Sequence, residues 1–476
     1  MATVNTFYFD GSGGISQPFG SWSNQSNAFN GSVSDGATTS LSGSPDDAKL
    51  VGIGTNATGI VGVISQVRLR VNVVTSGVNI DSTVFSDSQE LGVVSTSSTS
   101  GWTSYTTLNP PTGGWTLEKL QDLRVEFYAI TFTMGSVTAR VAQLEVTSFL
   151  PEAYWVGGTG SWNDAGNWSA TSGGSGGAGV PDENTDVIFD VNSFSSTSSV
   201  TMTTPSVTVK SLECSAVDNS FSIGSAVNNR VLVVINDVTL SANLTQNFQL
   251  IIDGDSEFNP NGVSEYNTPI DVAFAIPTSG NVTLTGDLTT GSRAIVNQGS
   301  LNTGGNNVNC SVLQSQGSSS HINITDSEIT FGNDIGPETD SVYLAEGSFS
   351  HSGSKMTISR TGQIARFSGR GRTYNELIHE GSDGLTILGS NTFSKLELAP
   401  GTTNIFTSGT TQTITTLDAV GTEGNLITIK SSSTTQHNLL SPSGRQNCDY
   451  LDIQNSNAGG DTLWFAGSNS VDSGGN

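Results

Sequence analysis

Apolar and polar residues alternate along most of this chain with a period of two, the signature of strands with one face buried and one face wet. In residues 61–74 (VGVISQVRLRVNVV), Val67, Leu69, Val71 and Val73 fall on one side. Residues 123–132 and 137–146 repeat the pattern. Between them lie residues 102–105 and 115–120, an Asn-Pro-Pro-Thr-Gly-Gly turn at 109–114, and a short helix predicted over 116–121. Long alternating strands joined by polar loops predict an antiparallel β-sandwich, jelly-roll-like, with its own core in residues 1–150.

After Phe189 the pattern shortens. Apolar bursts of a few residues recur at 207–212, 231–235, 238–240, 250–252, 282–284, 322–324, 329–331, 356–358, 385–388, 396–398, 414–417 and 426–429. Gly, Asn, Asp or Ser bounds each of them. The turn phrases also rhyme: Gln298-Gly-Ser-Leu, Glu346-Gly-Ser-Phe and Glu380-Gly-Ser-Asp. Strands this short bury little as hairpins, and a second sandwich would need longer strands with two-residue turns. Stacked as rungs they form one continuous apolar column, so residues 191–476 are expected to be a right-handed parallel β-helix.

The two textures meet in residues 151–190. Trp155, Trp162 and Trp168 fall close together there, although the whole chain has only 7 tryptophans. A Gly/Ser run at 172–179, Val180-Pro181, an acidic turn and the strand signal Val187-Ile188-Phe189 follow. Clustered indoles bury much area while glycines permit tight turns. Trp155, Trp162, Trp168 and Pro181 are therefore expected to form a structural junction that caps the β-helix and hinges it to the sandwich.

Composition supports an all-β class: Gly is 56 residues, Met only 4, and charged residues 12%. The charge is −25, from 42 acidic and 17 basic residues. So acidic a chain is poorly suited to nucleic acid or anionic membranes. No apolar run reaches the length of a membrane span, and the first residues lack the basic and apolar regions of a secretory signal. Cys214, Cys310 and Cys448 are far apart and odd in number, which implies small buried side chains, neither a disulfide framework nor a metal site.

Candidate chemistry is sparse. Asp253, Asp255 and Glu257 alternate and would share a face if extended, as a Ca²⁺ site or a catalytic carboxylate pair would require; an acidic turn between rungs is the plainer reading. Asp182, Glu183 and Asp186 form a similar turn. His321, His351, His379 and His437 show no paired spacing. The glycines of 173–179 lack the Lys-Ser/Thr of a phosphate loop and read as linker. Tyr8, Tyr105, Trp115, Tyr266 and Trp464 would stack on sugar rings if exposed. Lys355, Arg360, Arg366, Arg370 and Arg372 form the one basic concentration in the sequence, a candidate docking patch for an acidic partner. No catalytic residue, cofactor or metal is assigned.

The junction resembles a cassette of large repetitive adhesins and of virion fibre proteins of tailed bacteriophages. Its residues here are Trp155, Gly157, Gly158, Thr159, Gly160, Trp162, Trp168, Pro181, Asp186, Ile188 and Asp190. Residues 373–401, 448–457 and 462–467 are similar to rungs of the same group, and residues 1–150 look like jelly-roll modules of phage head and tail accessory proteins. The resemblance implies a parallel β-helix introduced by the cassette. With no export signal in view, it implies a virion protein made in a host cytoplasm rather than a bacterial adhesin. The expectation is a non-enzymatic tail fibre, spike or head fibre subunit, trimeric, contacting other virion proteins and a host surface glycan or protein. The alternatives are a capsid decoration or minor structural protein, and a polysaccharide-degrading tailspike.

Overall fold

In the computed structural model the chain is nearly all β. The structure describes residues 3–42, 46–97, 100–131, 134–225, 230–262, 272–275, 280–290, 293–332, 340–344 and 347–476. Two compact units are present, Met1–Pro151 and Glu152–Asn476.

The first unit is built from β1 (Thr3–Phe19), β2 (Ala37–Leu41), β3 (Asp46–Thr55), β4 (Val63–Ser76), β5 (Asn79–Ser86), β6 (Gln89–Thr96), β7 (Ser100–Trp102), β8 (Thr106–Thr107), β9 (Arg124–Thr131) and β10 (Gly135–Phe149). All its pairings are antiparallel, and they nest. β1 pairs β10, β3 pairs β9, β4 pairs β7, and β5 pairs β6. The β10–β4 and β9–β5 pairings then complete two sheets, β1-β10-β4-β7 and β3-β9-β5-β6. A long hairpin rolled up in this way is the jelly roll anticipated from the sequence.

β1 serves both sheets. Residues Thr3 to Tyr8 pair with β10, and Phe9 to Phe19 pair with β3 after a register shift. Gly11 and Gly14 sit at that shift with φ of 67° and 129°, conformations that other residues adopt only under strain. Between the sheets lies one core. The predicted stripe Val67, Leu69, Val71 and Val73 is fully buried against Leu50, Val125, Phe127 and Ile80 of the other sheet. Each such side chain contributes about 1.5–3 kcal/mol through removal from water. The short helix α1 (Leu117–Gln121) starts where Thr116 accepts a hydrogen bond from the Lys119 amide. Phe132, the last residue of one predicted stripe, lies outside the described residues.

The second unit is a parallel β-solenoid. Its first turn runs through β14 (Asp186–Ile188), β15 (Ser198–Thr201) and β16 (Ser206–Val209), one strand on each of three faces. The β16 face continues as 13 parallel strands to Val471–Asp472. At about 4.8 Å per strand this is a column of about 58 Å. The β14 face continues to Ser348–Ser350. Beyond it the strands between successive β16-face rungs lengthen, as in Thr373–His379 and Thr411–Asp418. A turn takes 25 residues from Val207 to Leu232, 18 from Leu232 to Leu250, and 20 from Phe367 to Ile387. In the short rungs of the first turns every second residue is buried, and Leu232, Leu250, Phe367, Ile387 and their counterparts stack into one apolar column.

The predicted bursts map onto these rungs, with one refinement. Residues 207–212 are two strands, Ser206–Val209 and Ser211–Glu213, because the chain turns a corner at Lys210. No helix among the described residues is long and apolar enough to cross a membrane.

Candidate functional site

Three short strands cover the first turn of the solenoid. β11 (Glu152–Trp155) pairs parallel with β14, β12 (Gly160–Ser161) pairs parallel with β15, and β13 (Trp168–Ser169) pairs antiparallel with β11. This layer places Trp155, Trp162 and Trp168 over the end of the apolar column, where all three are completely buried. Their rings meet edge to face: Trp168 lies 5.0 Å from Trp155 and 4.9 Å from Trp162. Phe189 sits 6.0 Å beneath both of those and stacks on Phe221 at 5.8 Å. The T-shaped contacts set positive ring edges against negative faces, adding to the area term.

The loops around the indoles are built for this packing. Trp155 Nε1 donates to the Gly158 carbonyl (2.9 Å) and Trp168 Nε1 to that of Trp162 (2.7 Å). The glycine run is not a slack linker. The Gly177 amide donates to the carbonyls of Ala165 and Trp168, and a Cβ on Gly176 would lie 1.8 Å from the Gly166 oxygen. Pro181 is buried beside Asp182, whose carboxylate accepts from the Asn184 amide and the Thr185 hydroxyl. Asp186 accepts from Lys210 (2.7 Å) and Ser211 (2.6 Å) of the next rung. Glu183 is exposed.

Of the five basic residues, Arg366, Arg370 and Arg372 lie along the strand Asp340–Leu344, whereas Lys355 stands on another face and Arg360 is buried. Lys355 pairs with Glu328 at 2.9 Å and Arg366 with Asp340 at 3.0 Å, both across rungs. Burial pushes the Asp340 carboxyl up, and Arg366 and Arg370 pull it back. Arg370 lies over the Tyr343 ring and donates to its hydroxyl. Arg372 donates to the Leu344 carbonyl, and Arg360 is 1% exposed with its guanidinium reaching the Ser311 carbonyl. Rungs and corners thus split the group, sending Lys355 to another face and Arg360 inside. What the register builds instead is a ladder of alternating charge, Glu328–Lys355–Glu376–Lys395.

The acidic turns are stitches between rungs. Asp237 accepts from the Glu257 amide (2.8 Å), Asp255 from that of Asn281 (2.7 Å), and Asp287 from that of Asn307 (2.8 Å). Asp253 does not share a face with Glu257. It follows Gln249–Ile252 of one face, while Glu257 belongs to Ser256–Asn259 of another, with Gly254 turning the corner. No cluster of metal-ligating side chains occurs among the described residues.

His379 and His437 are buried; His437 stacks on Phe406 at 4.6 Å with a ring nitrogen 3.1 Å from Ser456 Oγ. Burial lowers both to about 4. His321 contacts the Ser348 hydroxyl, and His351 stacks on Phe349. Cys214, Cys310 and Cys448 are free and buried, with burial pushing Cys310 to about 12 and Cys448 to about 11.

Of the candidate aromatics, Trp115 packs partly against the jelly-roll core and Trp464 donates to the Gly459 carbonyl in the last turn. Tyr266 lies outside the described residues. Tyr8 and Tyr105, far apart in sequence, both hydrogen-bond Gln143 on the outer face of the β1-β10-β4-β7 sheet. No single position in the sequence signals that convergence. Comparison with family models, with curated proteins and with solved structures returns no match for this chain.

Proposed function

We propose that this chain is a non-enzymatic structural subunit of a phage virion, a fibre or spike in which the solenoid is a stiff column. The observation that carries this reading is the β16 face, an unbroken parallel ladder of 13 strands whose backbone groups bond rung to rung. Hydrogen bonds along the column axis and a continuous apolar interior resist bending, as a projecting column requires. The aromatic plug and the acid stitches serve that same rigidity. The resemblance of the Trp/Gly cassette to those of phage fibres supplies the context. On this reading the column presents surface loops to a host-cell glycan or protein, and a homotrimer multiplies weak contacts by copy number.

Immunogold labelling of purified particles with antibodies against this chain tests the proposal. Label on tail or head projections, together with binding of the fluorescent chain to host cells, is the expected result. Label spread over the capsid shell would move the reading to a decoration protein. Shortening of host capsule polysaccharide by the purified chain would overturn the non-enzymatic assignment.

A further inference from the structure

The outer face of the β1-β10-β4-β7 sheet carries a built cluster that column rigidity does not need. Cross-strand register sets Tyr8 beside Gln143, Gln143 beside Arg70, and Asn72 beside Trp102. The Arg70 guanidinium carbon lies 4.3 Å from the Trp102 ring centroid and 4.6 Å from that of Tyr105, so the cation is held by two aromatic rings. Its Nε donates to Gln143 Oε1, which also accepts from the Tyr105 hydroxyl at 3.2 Å. Gln143 Nε2 donates to the Tyr8 oxygen at 3.1 Å. Gln143 is 4% exposed, so the anchor beneath the guanidinium is fixed while Arg70 itself stays half-buried at the surface.

Charge singles out this arginine. Its neighbour Arg68 also lies against Tyr105, at 4.9 Å, but is neutralised by Glu145. Arg70 pairs with no carboxylate among the described residues and hydrogen-bonds through Nε alone, in a chain with 42 acidic residues to choose from. A planar guanidinium with its Nη groups unengaged, oriented by a buried amide, is preorganised for a two-pronged pair with a planar anion. Aromatic rings and two phenol hydroxyls around it suit a ring that is apolar on its face and hydroxylated at its rim.

We propose that this face binds a carboxylated sugar, a uronic acid residue of an acidic polysaccharide. Arg70 takes the carboxylate through its Nη pair, Trp102 backs the sugar ring, and the hydroxyls of Tyr8 and Tyr105 meet the ring hydroxyls. This goes beyond the column reading, since it gives the jelly-roll unit a ligand of its own. It stands or falls independently of where the chain resides. A sulfate ester would share the charge but not the planar fork, which the test separates.

The test is calorimetric titration of the full chain with trigalacturonate, with sulfated maltotriose, which carries sulfate esters and no carboxylate, and with neutral maltotriose. Trigalacturonate is expected to bind, and maltotriose not. Arg70→Ala, Arg70→Lys and Trp102→Ala are each expected to weaken trigalacturonate by about tenfold or more, the loss of a charge-assisted pair or of the stacking surface. Arg445→Ala, which removes the same charge from an arginine stacked on Phe465 in the other unit, is expected to leave binding unchanged. Should Arg70→Ala fail to fold, Arg70→Lys keeps charge and stem and decides the matter. Absence of binding by the unaltered chain, equal binding of maltotriose, or full binding by Arg70→Lys would each overturn the proposal. So would sulfated maltotriose binding more tightly than trigalacturonate.

Discussion

The first turn of the solenoid and the turn around residues 451–472 treat the same apolar interior in opposite ways. At the first turn, Trp155, Trp162 and Trp168 close the column with no exposed surface, over Phe189, Phe194 and Phe221. In the last turn, Leu463 is 65% exposed, Val471 48% and Phe465 40%. An open cavity of about 470 Å³ lies there, lined by Leu417, Ile429, Leu439, Leu451 and Trp464 among others. A parallel ladder contains no stop of its own, because every strand offers the next one free backbone groups and an apolar column. Closure has to come from residues outside the repeat. Here it comes from indoles, the side chains that cover most area while holding a fixed shape.

This contrast predicts unequal consequences of mutation. Trp162→Ala or Trp168→Ala should lower stability by about 3–5 kcal/mol in denaturant unfolding, as expected for a fully buried aromatic. A loss below about 1 kcal/mol would mean the plug is ornamental. Acid should act instead on the later turns, since all four histidines lie between His321 and His437. His379 and His437 are held neutral, titrating at about 4 when folded against the ordinary 6.5. Above pH 6.5 neither state binds these protons and stability is flat. Between pH 6.5 and 4 the unfolded chain takes them up and the folded chain does not, so stability falls by roughly 3 kcal/mol per histidine. His379→Gln should flatten that part of the pH profile in circular-dichroism melts, and an unchanged profile would contradict the assignment.

Smaller effects sharpen the comparison further. Lys355→Ala interrupts the charge ladder, but both partners are exposed, so the cost should stay below about 1 kcal/mol and shrink in high salt. Leu463→Ser at the open end should change stability by no more than about 0.5 kcal/mol. A large loss there would show that the open end is packed after all.

The sequence showed the fold class clearly and the sites poorly, for a physical reason. Period-two alternation is local, so stripes such as Val67 to Val73 and bursts such as Val231 to Ile235 were legible without knowledge of their partners. The tryptophan cluster was legible because its members are neighbours in sequence. Which face of a three-faced coil a residue reaches depends on the summed lengths of earlier turns, and no short window contains that. Arg360 therefore went inside while Arg366 paired outside. Asp253 and Glu257 parted at a corner, and Asp237, Asp255 and Asp287 became stitches to residues 20 or 26 positions ahead. The Tyr8–Gln143–Tyr105 cluster depends on the nested pairing of β1 with β10, strands at opposite ends of their unit.

The most direct test of the plugged-column account is residue-resolved native-state hydrogen exchange along the solenoid. The account predicts that amides of Ser206–Val209 and Val231–Val234, next to the plug, exchange only through global unfolding. Amides of Leu463–Phe465 and Val471–Asp472 should exchange early by local fraying. In Trp162→Ala the first group should lose that protection while the last turn stays unchanged. Equal protection at both ends, or protection beside the plug that survives Trp162→Ala, would contradict the account.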